Sequence, residues 1–203
     1  MKIKKINPEK LNYKIIDSKK NNTDEHTPIV YLNNYNEDFS SFNLAADHLS
    51  KEFQVILYNP FITNTSAQEL IDIDFLSDSL YQFIEKNNLN NIHLISNGFS
   101  SIIAKNLLNK YPGYVKSMIL EDFSLNFAIN DHEYDLDYST INIPTLLLRG
   151  SKSKNILPQQ NQDIVMSNDL LRSTSVENVE NNSHFNNVEG FVSQVSKFIS
   201  IFS

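Results

Sequence analysis

The residues best placed to do chemistry lie in the stretch Asn91 to Leu108, NIHLISNGFSSIIAKNLL. Ile92, Leu94 and Ile95 make the short apolar run of a buried strand, and Ile102, Ile103 and Leu107 recur at helical spacing just downstream. Between them Ser96-Asn97-Gly98-Phe99-Ser100 must form a sharp turn, and that turn is where function is expected. Metal chemistry has no comparable candidate. His26, His48, His93 and His132 fall in a loop, a helix, a strand and a loop with no ligand spacing among them. Of these, His93 is predicted to be a satisfied side chain, buried or half-buried. Asp131, Glu133, Asp135 and Asp137 alternate as calcium-loop residues do, but the glycine and terminal glutamate of an EF-hand are missing, so a solvated surface loop is predicted. Cysteine is absent, which removes disulfides, thiolate ligands and thiol nucleophiles together. No metal and no cofactor is expected.

The elements that would position these residues follow from hydrophobic period and turn chemistry. Lys2 to Ile6 and Asn12 to Ile16 read as two strands of a hairpin around Asn7-Pro8, and Lys19 to Thr27 as a loop. Pro28 to Leu32 is a buried strand ending at Asn33-Asn34, followed by a helix over Ser40 to Lys51 with Phe42, Ala45, Ala46 and Leu49 on one stripe. Phe53 to Tyr58 is the next strand, stopped by Asn59-Pro60. Ser66 and Glu69 form a capping box that would open a long helix carrying Ile73, Leu76, Leu80, Phe83 and Ile84 on one face. Beyond the turn and its helix, Val115 to Leu120 and Thr145 to Leu148 are strands ending at Glu121-Asp122 and Arg149-Gly150. Phe123 to Asn142 shows no clean period. A helix over Gln159 to Leu171, a strand over Ser173 to Val179 and a last helix from Val188, striped by Phe191, Val195, Phe198 and Phe202, complete the chain. Strands alternating with helices at these separations predict an α/β architecture, a mostly parallel sheet flanked by helices, with ligands beyond the carboxyl ends of the strands.

Length and composition fit a single domain spanning residues 1–203. A net charge of -7 without a basic stripe argues against a nucleic-acid partner. No segment has the apolar length of a membrane span, and the early lysines are not followed by the apolar run of a secretory signal, so a cytoplasmic location is expected.

In order and spacing, these words resemble the α/β-hydrolase family from about Pro28 onward. The turn at 96–100 resembles that family's nucleophile elbow, in which a strand bends tightly into a helix with the nucleophile at the apex. Pro28-Ile-Val-Tyr-Leu-Asn-Asn34 resembles the strand leading to the oxyanion loop, and Phe53 to Pro60 the strand after it. Leu146 to Leu157 resembles the segment that presents the acid, and Asn182-Ser-His-Phe185 the loop that presents the catalytic histidine. The resemblance implies an α/β-hydrolase-like core with little or no cap domain, because only some twenty residues separate Asp122 from Thr145, where family enzymes often insert helices. It also implies a shallow, open cleft, suited to a protein or another large ligand.

Acyl transfer in that family needs a hydroxyl or thiol nucleophile, a histidine, an orienting carboxylate and two backbone donors. The matching positions depart from this set. Gly98 occupies the nucleophile position and has no side chain to attack with, while Ser153 or Lys154 stands at the usual acid position. Ser96 and Ser100 lie two residues from the apex and should aim elsewhere. Asn33-Asn34 replaces the His-Gly of the oxyanion loop. His184 is retained, and Asp122 lies where some family members place the acid, although a solvated loop aspartate is the other reading. The leading expectation is therefore a degenerate member, a pseudo-hydrolase acting as a binding or accessory protein, with Asn33, Asn34, Gly98, Phe99 and His184 around its ligand. The alternatives are a non-covalent His184–Asp122 enzyme and an esterase-like hydrolase with a displaced nucleophile.

Overall fold

The computed structural model describes residues 12–19, 27–61, 71–129 and 131–202. Its centre is a seven-stranded sheet in the order β1-β3-β2-β4-β5-β8-β9. The strands are β1 Asn12–Ile16, β2 Ile29–Leu32, β3 Val55–Asn59, β4 Ile92–Asn97, β5 Val115–Glu121, β8 Thr145–Gly150 and β9 Leu171–Val176. All neighbours are parallel except β1, which runs antiparallel to β3 from Asn12↔Asn59 to Ile16↔Val55.

The inner strands are continuous apolar runs because both faces are covered. Val30 and Leu32 of β2 pack with Ile56 and Tyr58 of β3 on one face, while Ile29, Tyr31, Val55 and Leu57 pack on the other. The first face is covered by α2 Ile73–Lys86 and α3 Ser100–Lys110, through Leu76, Leu80, Phe83, Ile103 and Leu107. The second is covered by α1 Asn43–Leu49 and α6 Val188–Ile199, through Ala45, Ala46, Leu49, Phe191, Val195 and Phe198. Each buried Leu, Ile or Phe of these stripes stabilises the fold by roughly 1.5–3 kcal/mol in transfer free energy. The chain runs from β2 to β3 on one side and returns to β4 on the other, so the strand order reverses between β2 and β4. A crevice opens at the carboxyl ends beside such a reversal.

Three expectations need amendment. Phe123 to Asn142, a stretch without a clean period in which a solvated loop was expected over Asp131 to Asp137, contains a hairpin, β6 Asn126–Ile129 paired antiparallel with β7 His132–Asp135. Its alternation of exposed Glu133 and Asp135 with half-buried Tyr134 is a strand period, carried by charges on the outer side. The helix expected to open at Ser66 begins at Ile73, where the Asp72 carboxylate accepts from Phe75 N at 2.9 Å; Ser66 and Glu69 lie outside the described residues. The helix expected to reach Leu171 is α4 Pro158–Met166. It stops short because Asn168 builds a turn, donating to Ile141 O at 2.6 Å and accepting from Leu170 N at 2.9 Å, and Leu171 opens β9. Of the two strands expected at the start, Asn12–Ile16 is β1, and Lys2 to Ile6 lies outside the described residues.

Candidate functional site

Gly98 follows the last residue of β4 and precedes Phe99, which leads into α3. Its φ of +54° is the left-handed conformation a strand-to-helix elbow demands, and glycine adopts it without the clash a Cβ brings. The turn is tied down by backbone and hydroxyl groups. Gly98 N donates to Glu121 O at 2.9 Å, and the Ser100 hydroxyl bridges Leu32 O, at 3.1 Å, and the backbone of Asn97. Ser96 and Ser101 share a hydroxyl contact of 3.2 Å. Ser96 and Ser100 are both fully buried, so these hydroxyls hold the turn together and do not face the cleft.

The oxyanion-loop position is taken up by Asn34. Its Oδ1 accepts from Tyr35 N at 2.9 Å and from Phe99 N at 3.0 Å, and its Nδ2 donates to Glu37 Oε1 at 3.3 Å. Asn33 is fully buried and donates to Glu37 O at 3.4 Å, which fixes the loop from below.

His184 lies in α5 Ser183–Asn186, a single turn behind Asn182, whose φ is +52°. The imidazole is fully buried among Tyr31, Phe42 and Phe191, with ring centroids 5.4 to 6.0 Å away. Its partner is Glu121, not Asp122. Nδ1 meets Glu121 Oε2 at 2.8 Å, and the backbone N of His184 donates to Glu121 Oε1 at 3.0 Å. Asp122 is held elsewhere, accepting from Asn182 N at 2.6 Å and from Asn97 Nδ2 at 3.5 Å. The physical reason is that Glu121 is the last residue of β5, whereas Asp122 has already left the strand with φ +51°. Sequence reasoning missed Glu121. The only signal for it was that adjacent acids at a strand end point in different directions, and nothing local says which one meets the histidine.

Burial alone would push the His184 imidazole down. The charge and hydrogen bond of Glu121, aided by Glu37 and Asp122, outweigh it and leave the group above the ordinary histidine value. Asp122 is also raised: burial, then repulsion from Glu121, push it up to about 7, against the opposing pull of Asn182 N–H, His184 and Asn97. His184 Nε2, Asp122 Oδ1 and Asn97 Oδ1 are buried without a hydrogen-bond partner. His93, well away in β4, pairs its Nδ1 with Ser117 Oγ at 2.8 Å, and burial pushes it down to about 4.

A cleft of about 380 Å³ is lined by Asn34, Tyr35, Gly98, Phe99, Asp122 and the hairpin residues Phe127 to Ile129, among others, while Asn33, Glu121 and His184, all fully buried, are off its lining. Asn155, Asn181 and Asn182 also line the cleft. Ser153, at the usual acid position, is off this lining; its Oγ lies 3.4 Å from Asn181 Oδ1. Phe99 anchors the hairpin, packing edge-on against Tyr134 at 5.0 Å and Phe127 at 6.1 Å. Among the described residues, no group of three or more His, Asp or Glu side chains is placed to hold a metal ion.

No protein-family model matches the sequence, and no curated protein matches it. Solved structures do. The α/β-hydrolase enzyme MGS-MChE2, from a Mar Chica lagoon sediment metagenome, superposes with a TM-score of 0.77 at 16% identity over 99% of each chain. The structure of MenH from S. aureus does so with a TM-score of 0.77 at 12% identity, over 93% of this chain and 98% of that one. The chain has the α/β-hydrolase fold. An enol-lactonase from Burkholderia xenovorans shares it with a TM-score of 0.72 at 13% identity, over 94% of this chain and 96% of that one. Within the α/β-hydrolase fold the elbow, the loop after β2 and the α5 turn all sit at the carboxyl edge of the sheet, as the order of sequence words implied. No helix among the described residues is long and apolar enough to cross a membrane.

Proposed function

We propose that this chain is a single-domain, cytoplasmic pseudo-hydrolase: an α/β-hydrolase-fold protein without serine-hydrolase turnover that serves as a binding or accessory protein, its ligand meeting the cleft between Asn34, Gly98 and the hairpin. The observation that carries this reading is the elbow apex itself. Gly98 holds the φ of the nucleophile and offers no oxygen, and the nearest hydroxyls, of Ser96 and Ser100, are buried and hydrogen-bonded inside the turn. Covalent acyl transfer has nothing to begin with. The test is incubation with a panel of short-chain nitrophenyl esters and with a fluorophosphonate probe. No hydrolysis above the protein-free rate and no mass adduct are expected. Stoichiometric labelling at one serine overturns the reading.

A second reading has its own observation, the intact imidazole–carboxylate pair. A His184 imidazole oriented by Glu121 is the arrangement a general base needs, and a non-covalent enzyme of this fold would use it on water or substrate directly, with Asp122 as a nearby acid. On that reading, His184→Ala abolishes turnover of an identified substrate while leaving its binding; full activity in that variant removes it.

A further inference from the structure

The carboxamide of Asn34 occupies the place that a reacting carbonyl would take. Its oxygen draws on both backbone donors beside the apex, Tyr35 N and Phe99 N, at 2.9 and 3.0 Å. Its nitrogen is anchored on Glu37. The same group fills the volume above Gly98: a Cβ added there would lie 2.7 Å from Asn34 Oδ1 and 2.8 Å from both Cγ and Nδ2. Real Cβ atoms do not approach that closely, so a side chain at 98 and the Asn34 carboxamide compete for one space.

We propose that Asn34 is an internal occupant of the donor pair and forms a barrier to acyl transfer separate from the missing hydroxyl. The inference rests on the reading that serine chemistry has been lost, and it specifies how the site is shut. Serine introduced at 98 alone would call on the His184–Glu121 pair as its base, and it must displace a carboxamide held by three hydrogen bonds. Any incoming carbonyl must compete with Oδ1 for the same two N–H groups. Truncating Asn34 alone frees the donors and supplies no nucleophile. Only the two changes together assemble the parts. With a fluorophosphonate, the introduced oxygen then attacks phosphorus, an O–P bond forms and the P–F bond breaks with fluoride taking its electron pair. The hydroxyl proton passes to His184 Nε2, the nitrogen that Glu121 leaves free.

The experiment compares the unaltered chain, Gly98→Ser, Asn34→Ala and the double variant by the rate of fluorophosphonate labelling, read by intact mass. The unaltered chain and Asn34→Ala should give no adduct. The double variant should label at position 98 about 100-fold faster than Gly98→Ser, the range associated with a lost oxyanion donor. Labelling of Gly98→Ser as fast as the double variant, or a folded double variant that stays unlabelled, overturns the inference while leaving the proposed function standing. Labelling of the unaltered chain overturns the proposed function and, with it, this inference. A measurement that needs no serine stands beside these: in Asn34→Ala, amide exchange at Tyr35 and Phe99 should accelerate by about tenfold or more as their acceptor is removed. Unchanged exchange at both amides overturns the inference even if the double variant does not fold.

Discussion

Glu121 holds two elements together at the level of single atoms. One oxygen accepts from the His184 backbone, and the other meets both the imidazole and the Asn97 amide at 2.8 and 3.1 Å. Removing a carboxylate so placed leaves a buried imidazole uncompensated. Glu121→Ala is expected to destabilise the fold by about 3–5 kcal/mol, measured as a shift in the urea unfolding midpoint. The milder Glu121→Gln keeps the shape and removes the charge. Burial then acts on His184 without its main counterweight, so the imidazole should titrate lower than in the unaltered chain. An NMR titration of the His184 ring that shows no downward move would mean that Glu121 does not set its charge state.

Among the elements, the hairpin is joined to the elbow through one ring. Phe99 is 2% exposed and touches Tyr35, Phe61, Phe127 and Tyr134, so it joins the elbow to β6 and β7. Phe99→Ala should cost about 3–5 kcal/mol in stability. It should also raise amide exchange in 126–135 more than in β4, which native-state exchange read by NMR can check. Equal acceleration in both would show that the hairpin is not anchored there. The parts of the fold legible in the sequence are those where burial is strong and periodic. The α6 residues Phe191, Val195 and Phe198 are buried as their spacing required, and the inner strands appear where apolar runs stood. The hairpin was not legible because its strands are four residues long and show charges outward, so composition spoke for a loop. At the site, the glycine apex and the α5 histidine could be placed by their order in the chain. The pairing of His184 with Glu121 could not, since it depends on whether β5 ends one residue sooner or later. Asn34 stood out as a departure from the expected loop, but its contact with Phe99 N spans 65 residues and no local pattern carries it.

For the molecule as a whole, two buried groups make stability depend on pH in the same direction. Asp122 at about 7 binds a proton in the folded chain that an unfolded aspartate, near ~3.9, has released. Its contribution is therefore greatest at the acid end of that window and is lost as pH rises through its folded value. His184 lies above its ordinary value, so its contribution is complete below ~6.5 and is also lost as pH rises through the folded value. The exposed carboxylates of Asp38, Asp47, Asp74 and Asp137 are shifted down and oppose this only in stronger acid, whereas His93, held down to about 4 by burial, opposes it up to the unfolded value near ~6.5. The urea midpoint should be higher near about pH 5.5 than near about pH 8, and Asp122→Asn should flatten the difference. An Asp122→Asn variant whose midpoint depends on pH over that interval as the unaltered chain's does would contradict the Asp122 assignment.

The cover seen among the described residues, one short hairpin, also bears on kinetics. Enzymes that enclose their substrates under helices or mobile loops often wait on reopening before product departs. Here β6 and β7 flank the crevice, with Phe127 to Ile129 lining it along with Asn155, Asn181 and Asn182. Against the described residues alone, a molecule seated on Asn34 and Phe99 would leave at a rate set by the contacts it breaks.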